Sequence, residues 1–267
     1  MKPKVSVIMG IYNCEETLSE SIESILTQTY ENWELIMCDD ASTDNTYNIA
    51  KSYEQKYPDK IKILRNEKNM RLAGALNHCL KYVTGKYVAR MDGDDMSMPS
   101  RFEKQIDFLE NNPNLQVVGT GMLSFDEEGD RGVRLADPKP EPNSIVKRNP
   151  FCHATIIMRS EAYKALDGYR VCRQTRRMED LDLWIRFFEK GFRGYNLQEP
   201  LYKVRENSDA FKRRKLTYSI DTAGLVYQAC RKLQLPVKSY LYVLKPIIAG
   251  LTPKYIMNLY HKQQLIK

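Results

Sequence analysis

The chain has 267 residues, 42% hydrophobic and 28% charged, with 17 tyrosines, which suits a packed globular protein and excludes disordered, collagenous and low-complexity classes. Its six cysteines, at 14, 38, 79, 152, 172 and 230, form no C-x-x-C pair, which argues against a zinc ribbon, a redox motif or a secreted disulfide scaffold and fits a reducing cytoplasm. The formal charge of +7 is split, with 13 Lys/Arg against 3 Asp/Glu in residues 203–267 and 28 against 31 in residues 1–202. A domain over 1–202 and a basic extension over 203–267 are expected.

The N-terminus lacks the apolar core of a secretion signal. The longest apolar stretch, residues 241 to 251, is interrupted by Lys245 and Pro246 and is shorter than the ~20 residues a spanning helix needs. A cytoplasmic protein without a membrane span is expected.

In chain order, Val5, Val7 and Met9 begin a strand ending at Gly10, and Leu18, Ile22, Ile25 and Leu26 follow at helical spacing behind a Thr17-x-x-Glu20 capping box. Leu35 to Met37 predicts a strand, Asp39 to Asp44 a loop, and Ile49, Ala50, Tyr53 and Tyr57 a helix. A strand at Ile61 to Leu64, a helix from Leu72 to Val83 with Gly85 past its end, and a strand at Tyr87 to Ala89 come next. Pro99 opens a helix bearing Phe102, Ile106 and Leu109, Val117 and Val118 read as strand, and the Gly/Pro/Asp-rich residues 126 to 143 read as a mobile loop. A strand at Ile156 to Met158 and helices from Ser160 to Leu166 and from Asp180 to Lys190, ended by Gly168 and Gly191, complete the domain.

Alternating strands and helices predict an α/β fold on a mostly parallel sheet. In such sheets ligands bind beyond the carboxyl ends of the strands, so the loops at Gly10 to Glu16, Asp39 to Asp44 and Met91 to Met96 should meet at one site. Asp92-Gly93-Asp94-Asp95 ends the fourth strand. Carboxylates two apart on extended backbone project to one side and suit Mg²⁺ or Mn²⁺. A solvated turn is the other reading of a short D-x-D, and the place of this one at a strand end among polar loops favours the metal.

Val5-Ser6-Val7-Ile8-Met9-Gly10-Ile11-Tyr12-Asn13, Gln28-Thr29-Tyr30-Glu31-Asn32-Trp33-Glu34, Cys38-Asp39-Asp40-Ala41-Ser42-Thr43-Asp44 and Ala89-Arg90-Met91-Asp92-Gly93-Asp94-Asp95 stand in this order. Cys152-His153-Ala154-Thr155, Asp167-Gly168-Tyr169 and Glu179-Asp180-Leu181-Asp182-Leu183-Trp184 follow them. Together they resemble the ordered signatures of family 2 glycosyltransferases over roughly residues 4 to 205. The resemblance implies a GT-A fold, a Rossmann-like sheet flanked by helices, and inverting transfer of a sugar from a nucleotide diphosphate donor. The look-alikes are bacterial enzymes of exopolysaccharide, capsule and lipopolysaccharide assembly. Three positions depart from the pattern: Gly10 stands where the family often has Pro, Ala41 where it often has Gly, and Asp167 where Gly-Gly-Tyr is usual.

The resemblance implies a donor site formed by Gly10, Ile11, Tyr12, Asn13, Glu15, Asp39, Asp40, Arg71, Asp92 and Gly93, with a divalent Mn²⁺ or Mg²⁺ held by Asp92 and Asp94. Tyr12 would cover a uracil and Asp40 accept from its edge, although helix N-terminal electrostatics also accounts for Asp39 and Asp40. Arg71 would reach the diphosphate or stand exposed at the surface. Asp95 would anchor the acceptor or orient its loop. Asp180 is the candidate base, beside Glu179, and a plain helix cap is its other reading. His153 is a secondary candidate near metal or acceptor, and Trp184, Phe187 and Phe188 stack on sugar or belong to the core.

The expected partners are a UDP-sugar donor and a glycan or lipid-linked glycan acceptor. The tail, with prolines at 236, 246 and 253, is expected to be helical. Its first helix carries Tyr218, Leu225, Val226 and Ala229, and shorter ones span 240 to 249 and 255 to 259. It would rest on an anionic membrane, pack on the catalytic domain or form a homodimer. Three other classes fit parts of the sequence. A nucleic-acid-binding protein is not expected because the basic residues are spread out, and a non-catalytic sugar-nucleotide module would lack Asp94 or Asp180. A dinucleotide oxidoreductase is set aside because no G-x-G-x-x-G follows the first strand.

Overall fold

A computed structural model describes residues 2–206 and 216–252. The strand β1 (Val5–Ile11) alternates its apolar residues, so Val5, Val7, Met9 and Ile11 enter one core and Ile8 the other. Strands buried on both faces need helices on both faces. One face is covered by Leu18, Ile22 and Ile25 of α1 (Leu18–Leu26), Ala50 of α2 (Thr46–Lys56), and Phe102, Ile106 and Leu109 of α4 (Arg101–Asn111). The other face is covered by α3 (Arg71–Leu80), α5 (Ser160–Ala165) and α6 (Glu179–Glu189).

Among the described residues the sheet has nine strands. The parallel half runs β3 (Ile61–Arg65), β2 (Trp33–Asp39), β1, β4 (Tyr87–Asp92). Beyond β4 lie β8 (Ile157–Arg159), antiparallel to both its neighbours, then β6 (Val117–Asp126), β9 (Gly194–Arg205) and β5 (Met96–Ser97). The chain leaves β1 toward β2 and returns to the other side of β1 as β4, so the strand order reverses between β1 and β4. That switch point opens a crevice at the carboxyl ends of the strands. Gly10 and Asp92 are register partners there.

Several elements differ from the sequence pattern. Within the expected mobile loop at 126 to 143, β7 (Gly129–Arg134) folds back on β6 as a hairpin. Strands β9 and β5 carry no clean alternation and are held by pairing with distant chain, and β9 runs past residue 203 to Arg205. The Thr17 capping box does not form, because Thr17 Oγ1 donates to the Gly93 carbonyl at 3.0 Å and Glu20 pairs with Arg205. Helix α3 ends at Leu80, before Val83, and Gly85 instead packs against the backbone of Lys4 and Ser6.

In the tail, α7 (Leu216–Lys232) buries Leu225, Val226 and Ala229 in the α6 core. Of the expected alternatives for this amphipathic face, packing on the catalytic domain is the one observed, and those three residues are unavailable to a lipid surface. In place of one helix over 240 to 249, a 3-10 segment, Val237–Val243, leads into α8 (Leu244–Leu251), and Pro246 lies in the first turn of α8. The helix expected at 255 to 259 lies outside the described residues. No described helix is long and apolar enough to cross a membrane.

Candidate active site

The loops after β1 and β2 are stapled together at the crevice. Asn13, at φ +46, accepts the Thr43 N–H at 2.9 Å and donates its own N–H to Ser42 Oγ at 3.1 Å. Glu15 accepts the Asn45 N–H at 2.7 Å, placing a carboxylate at the start of α2, where the helix dipole favours it. Asp39 is fully buried, paired with Arg65 at 3.0 Å and accepting the Ser42 N–H, and it lines neither of the two cavities that meet at this crevice. Asp40 lines one. Its Oδ1 accepts from Asn66 Nδ2 and the Met70 N–H, both at 2.7 Å.

Two adjoining cavities share Gly10 and Tyr12. One, of about 550 Å³, is lined by Ile11, Asp40, Arg71, Glu179 and a set of arginines from residues 170 to 177. The other, of about 500 Å³, is lined by Asn13, Glu15, Asp92, Gly93, Asp94 and Arg205. Tyr12 is half exposed between them. Arg71 holds φ +65 at the start of α3, a left-handed conformation that costs a side-chain-bearing residue about 1–2 kcal/mol and marks functional segments.

At the end of β4 the carboxylate oxygens of Asp92, Asp94 and Asp95 lie within 4.8 Å of one another. Asp92 is paired with the buried guanidinium of Arg90, and its N–H donates to Tyr202 Oη at 3.1 Å. Asp95 is buried and accepts the Arg205 N–H at 2.9 Å, while Asp94 is exposed. Desolvation raises the pKa of Asp94 and Asp95, and the neighbouring carboxylates raise both further. Burial by itself would lower the Arg90 pKa, but the Asp92 charge outweighs it.

A third space, a cleft of about 1590 Å³, is lined by His153, Asn149 and Glu179 among others. Glu179 therefore faces both this cleft and the Asp40 cavity. Asp180 is half-buried beside it, accepting from Asn149 Nδ2 at 2.6 Å and from the Leu181 N–H at 2.8 Å. It is not the helix cap: α6 begins at Glu179 and Met178 occupies the N-cap. Burial raises the pKa of Asp180 despite the Leu181 N–H, Arg90 and Asn149, which all favour the ionised form. The N-terminal dipole of α6, which favours an ionised carboxylate, acts in the opposite direction and is outweighed. Burial and the Asp180 charge raise Glu179 as well.

His153 donates to or accepts from Tyr169 Oη at 2.8 Å and lies edge-on to Trp184. Burial and the Arg90 charge hold its pKa well below the ordinary range, so the ring is neutral. It lines the cleft and is not grouped with the carboxylates. Trp184, Phe187 and Phe188 are buried in the α6 core, which rules out their stacking on a sugar.

The family model described as Glycosyl transferase family 2 matches residues 6–183. The chain belongs to glycosyltransferase family 2. It is 64% identical over 264 residues to "Putative glycosyltransferase EpsE" of Bacillus subtilis (strain 168), covering 99% of this chain and 95% of that protein. It is 31% identical over 209 residues to the UDP-Glc:alpha-D-GlcNAc-diphosphoundecaprenol beta-1,3-glucosyltransferase WfaP of Escherichia coli, covering 76% of this chain and 78% of that protein. The crystal structure of S. aureus TarS 1–349 in complex with UDP superposes with a TM-score of 0.68 at 19% identity, covering 93% of this chain and 70% of that one. The fold is the GT-A fold, and the protein is a glycosyltransferase.

In this family 2 glycosyltransferase the carboxylate cluster fits a hard divalent cation. Its donors are oxygens, Asp94 is exposed, and the mutual repulsion that raises the Asp94 pKa would be relieved by a bound cation. The departures from the family pattern also have a backbone consequence: Ala41 and Asp167, both standing where glycine is usual, adopt φ +61 and φ +54. Three contributors escaped the sequence reading. Arg90 was legible only as an arginine inside a buried strand, whereas Tyr202 and Arg205 belong to β9, which carried no local signal.

Proposed function

We propose that this glycosyltransferase moves a sugar from a UDP-sugar to a glycan or lipid-linked glycan, with inversion at the anomeric carbon, as a step in polysaccharide assembly. The observation that carries the reading is Glu179, which faces both the cavity of Asp40 and the large cleft, with Asp180 next to it. One cavity then takes the donor and the cleft takes the acceptor.

In this reading Tyr12 covers the uracil, Asp40 accepts its N3–H, and Arg71 meets the diphosphate. Asn13 and Glu15 hold the loop on which Gly10 and Ile11 approach the nucleotide, and Asp39 fixes the base of the neighbouring loop. Asp92 and Gly93 lie at the ribose. Asp92 and Asp94 would hold Mn²⁺ or Mg²⁺, which offsets negative charge on the departing nucleotide diphosphate. Asp95 orients the loop through Arg205. Asp180, made more basic by burial, takes the proton of the acceptor hydroxyl as its oxygen attacks from the face opposite the leaving group. His153, neutral, presents a hydrogen-bonding ring to the acceptor.

Thermal denaturation against a panel of nucleotide sugars tests this. UDP-sugars should raise the melting temperature only with Mn²⁺ or Mg²⁺, by the equivalent of about 2.7 kcal/mol at a hundredfold excess over Kd. Stabilisation by GDP-sugars alone, or by none of the panel, defeats it.

We further place the enzyme on the cytoplasmic face of an anionic membrane. Val237, Leu244 and Leu251 are exposed apolar residues at 86%, 54% and 69%, near Lys238 and Lys245, a combination suited to an interface. Flotation with phosphatidylglycerol vesicles, lost in high salt or on Leu244→Glu, checks this.

A further inference from the structure

Asp39 and Asp40 are consecutive, and so are the two residues that hold them. Arg65 ends β3 and pairs with Asp39 at 3.0 Å, while Asn66 follows it and donates through Nδ2 to Asp40 Oδ1 at 2.7 Å. The Asn66 N–H donates to the Asp39 carbonyl at 2.9 Å, which clamps the end of β3 to the end of β2. Asp40 Oδ1 also accepts the Met70 N–H, from the residue that precedes α3. Among the described residues Oδ2 accepts no hydrogen bond, and it is the oxygen left to the cavity that Asp40 lines.

Behind Asn66 stands His78, in the last turn of α3, with Nδ1 2.9 Å from Asn66 Oδ1. The polarity of this row follows from its first member. A carboxylate only accepts, so the amide nitrogen must face Asp40 and the amide oxygen must face His78. An amide oxygen only accepts in turn, so Nδ1 must carry the hydrogen. Cys38 Sγ, 3.6 Å from the same nitrogen, is the weaker acceptor. Tyr82 packs against the His78 ring, with centroids 5.9 Å apart.

A carboxylate without such partners rotates about its Cβ–Cγ bond, and a ligand that needs one direction must bear the entropy of fixing it. Two N–H donors on Oδ1 remove that freedom before the ligand arrives. A pyrimidine whose N3 carries a hydrogen then meets an aimed acceptor in Oδ2, whereas one whose N3 carries a lone pair meets repulsion. We infer that Asn66 and His78 are positioning residues that set base specificity: His78 fixes the Asn66 amide, and the amide fixes Asp40 with Oδ2 toward the N3–H of uracil. This rests on the reading of Asp40 as the acceptor from the base. Neither Asn66 nor His78 lines the cavity of Asp40, so both act through that carboxylate.

The test is isothermal titration calorimetry of the full chain with UDP and with CDP, each in saturating Mn²⁺. The two ligands share ribose and diphosphate and differ at the pyrimidine edge, so the ratio of their affinities reads the base contact. The parent should bind UDP at least about thirtyfold more tightly than CDP. Asn66→Ala, and Asn66→Asp, which keeps the volume and loses the donor, should each weaken UDP about tenfold and CDP by less than about threefold. His78→Leu should lower the ratio in the same direction. His78→Asn, whose amide nitrogen can stand in for Nδ1, should keep the ratio within about twofold of the parent. If the Asn66 variants weaken UDP and CDP by equal factors, Asn66 merely holds its loop and the assignment is overturned. Equal ratios in His78→Leu and His78→Asn overturn the role of His78. A parent preference for UDP that survives every substitution overturns this inference alone, whereas a parent that binds CDP as tightly as UDP overturns the base-reading role of Asp40 in the proposed function, and this inference with it.

Discussion

Arg90 and Asp92, two residues apart on β4, form an ion pair whose two ends differ in environment. The guanidinium side chain is 4% exposed and the carboxylate 27%. The buried cation influences Asp94, Asp95, His153, Glu179 and Asp180, and Asp92 is the carboxylate paired with it. Asp92 thus has a structural task that Asp94 lacks.

Asp92→Ala should lower the unfolding free energy by about 3 kcal/mol, because it strands a buried guanidinium without a partner. Asp94→Ala, at an exposed position, should stay within about 0.5 kcal/mol of the parent. Urea denaturation of both variants checks the contrast. Equal costs would mean that the pair is not what holds Arg90 in place.

Asp94→Ala should nonetheless remove most transfer activity and most metal dependence. Activity with Mn²⁺, with Mg²⁺ and after EDTA treatment measures this. An enzyme that transfers sugar undiminished in EDTA would refute the cation site.

Asp180→Asn should slow transfer by roughly 10²-fold, on the scale of losing a general base, with UDP affinity retained. Its raised pKa sets a direction in pH: the active form is the ionised one, so the rate should fall as pH drops through a value above the ordinary aspartate pKa of about 3.9. Asparagine cannot titrate, and the acid limb should vanish from the residual rate. Glu179→Gln is the matching control. If it removes the limb and Asp180→Asn does not, the base is Glu179.

Ala41→Gly should stabilise the protein by roughly 0.5–1 kcal/mol, since glycine relieves the left-handed strain at φ +61 but costs more chain entropy. That corresponds to a rise of about 1–2 °C in melting temperature. Asp167→Gly should gain less, because aspartate tolerates this region better than alanine. A lower melting temperature for Ala41→Gly would show that its methyl group makes a compensating contact.

The parallel half of the fold was legible because its information is local. Apolar residues at spacing two in β1 and at three and four in α1 report which way each side chain must face, whatever the rest of the chain does. The ordered motifs likewise placed Asp40, Asp92, Asp94 and the Glu179–Asp180 pair in loops at strand ends and at a helix start. Tertiary structure decided what each of these residues faces. Asp39 and Asp40 are neighbours, yet one closes an ion pair with Arg65 and the other lines a cavity. Strand β9, interrupted by Pro200, exists through pairing with β6, and it brings Tyr202 and Arg205 to carboxylates more than a hundred residues earlier in the chain. The amphipathic face of α7 was readable, but whether membrane or protein would cover it depended on α6, and protein covers it. The pKa of Asp180 turned on burial, which overrode the helix dipole. Periodicity fixes direction along one element, while burial and charge at a site are sums over groups distant in sequence, and those sums exist only once the chain has folded.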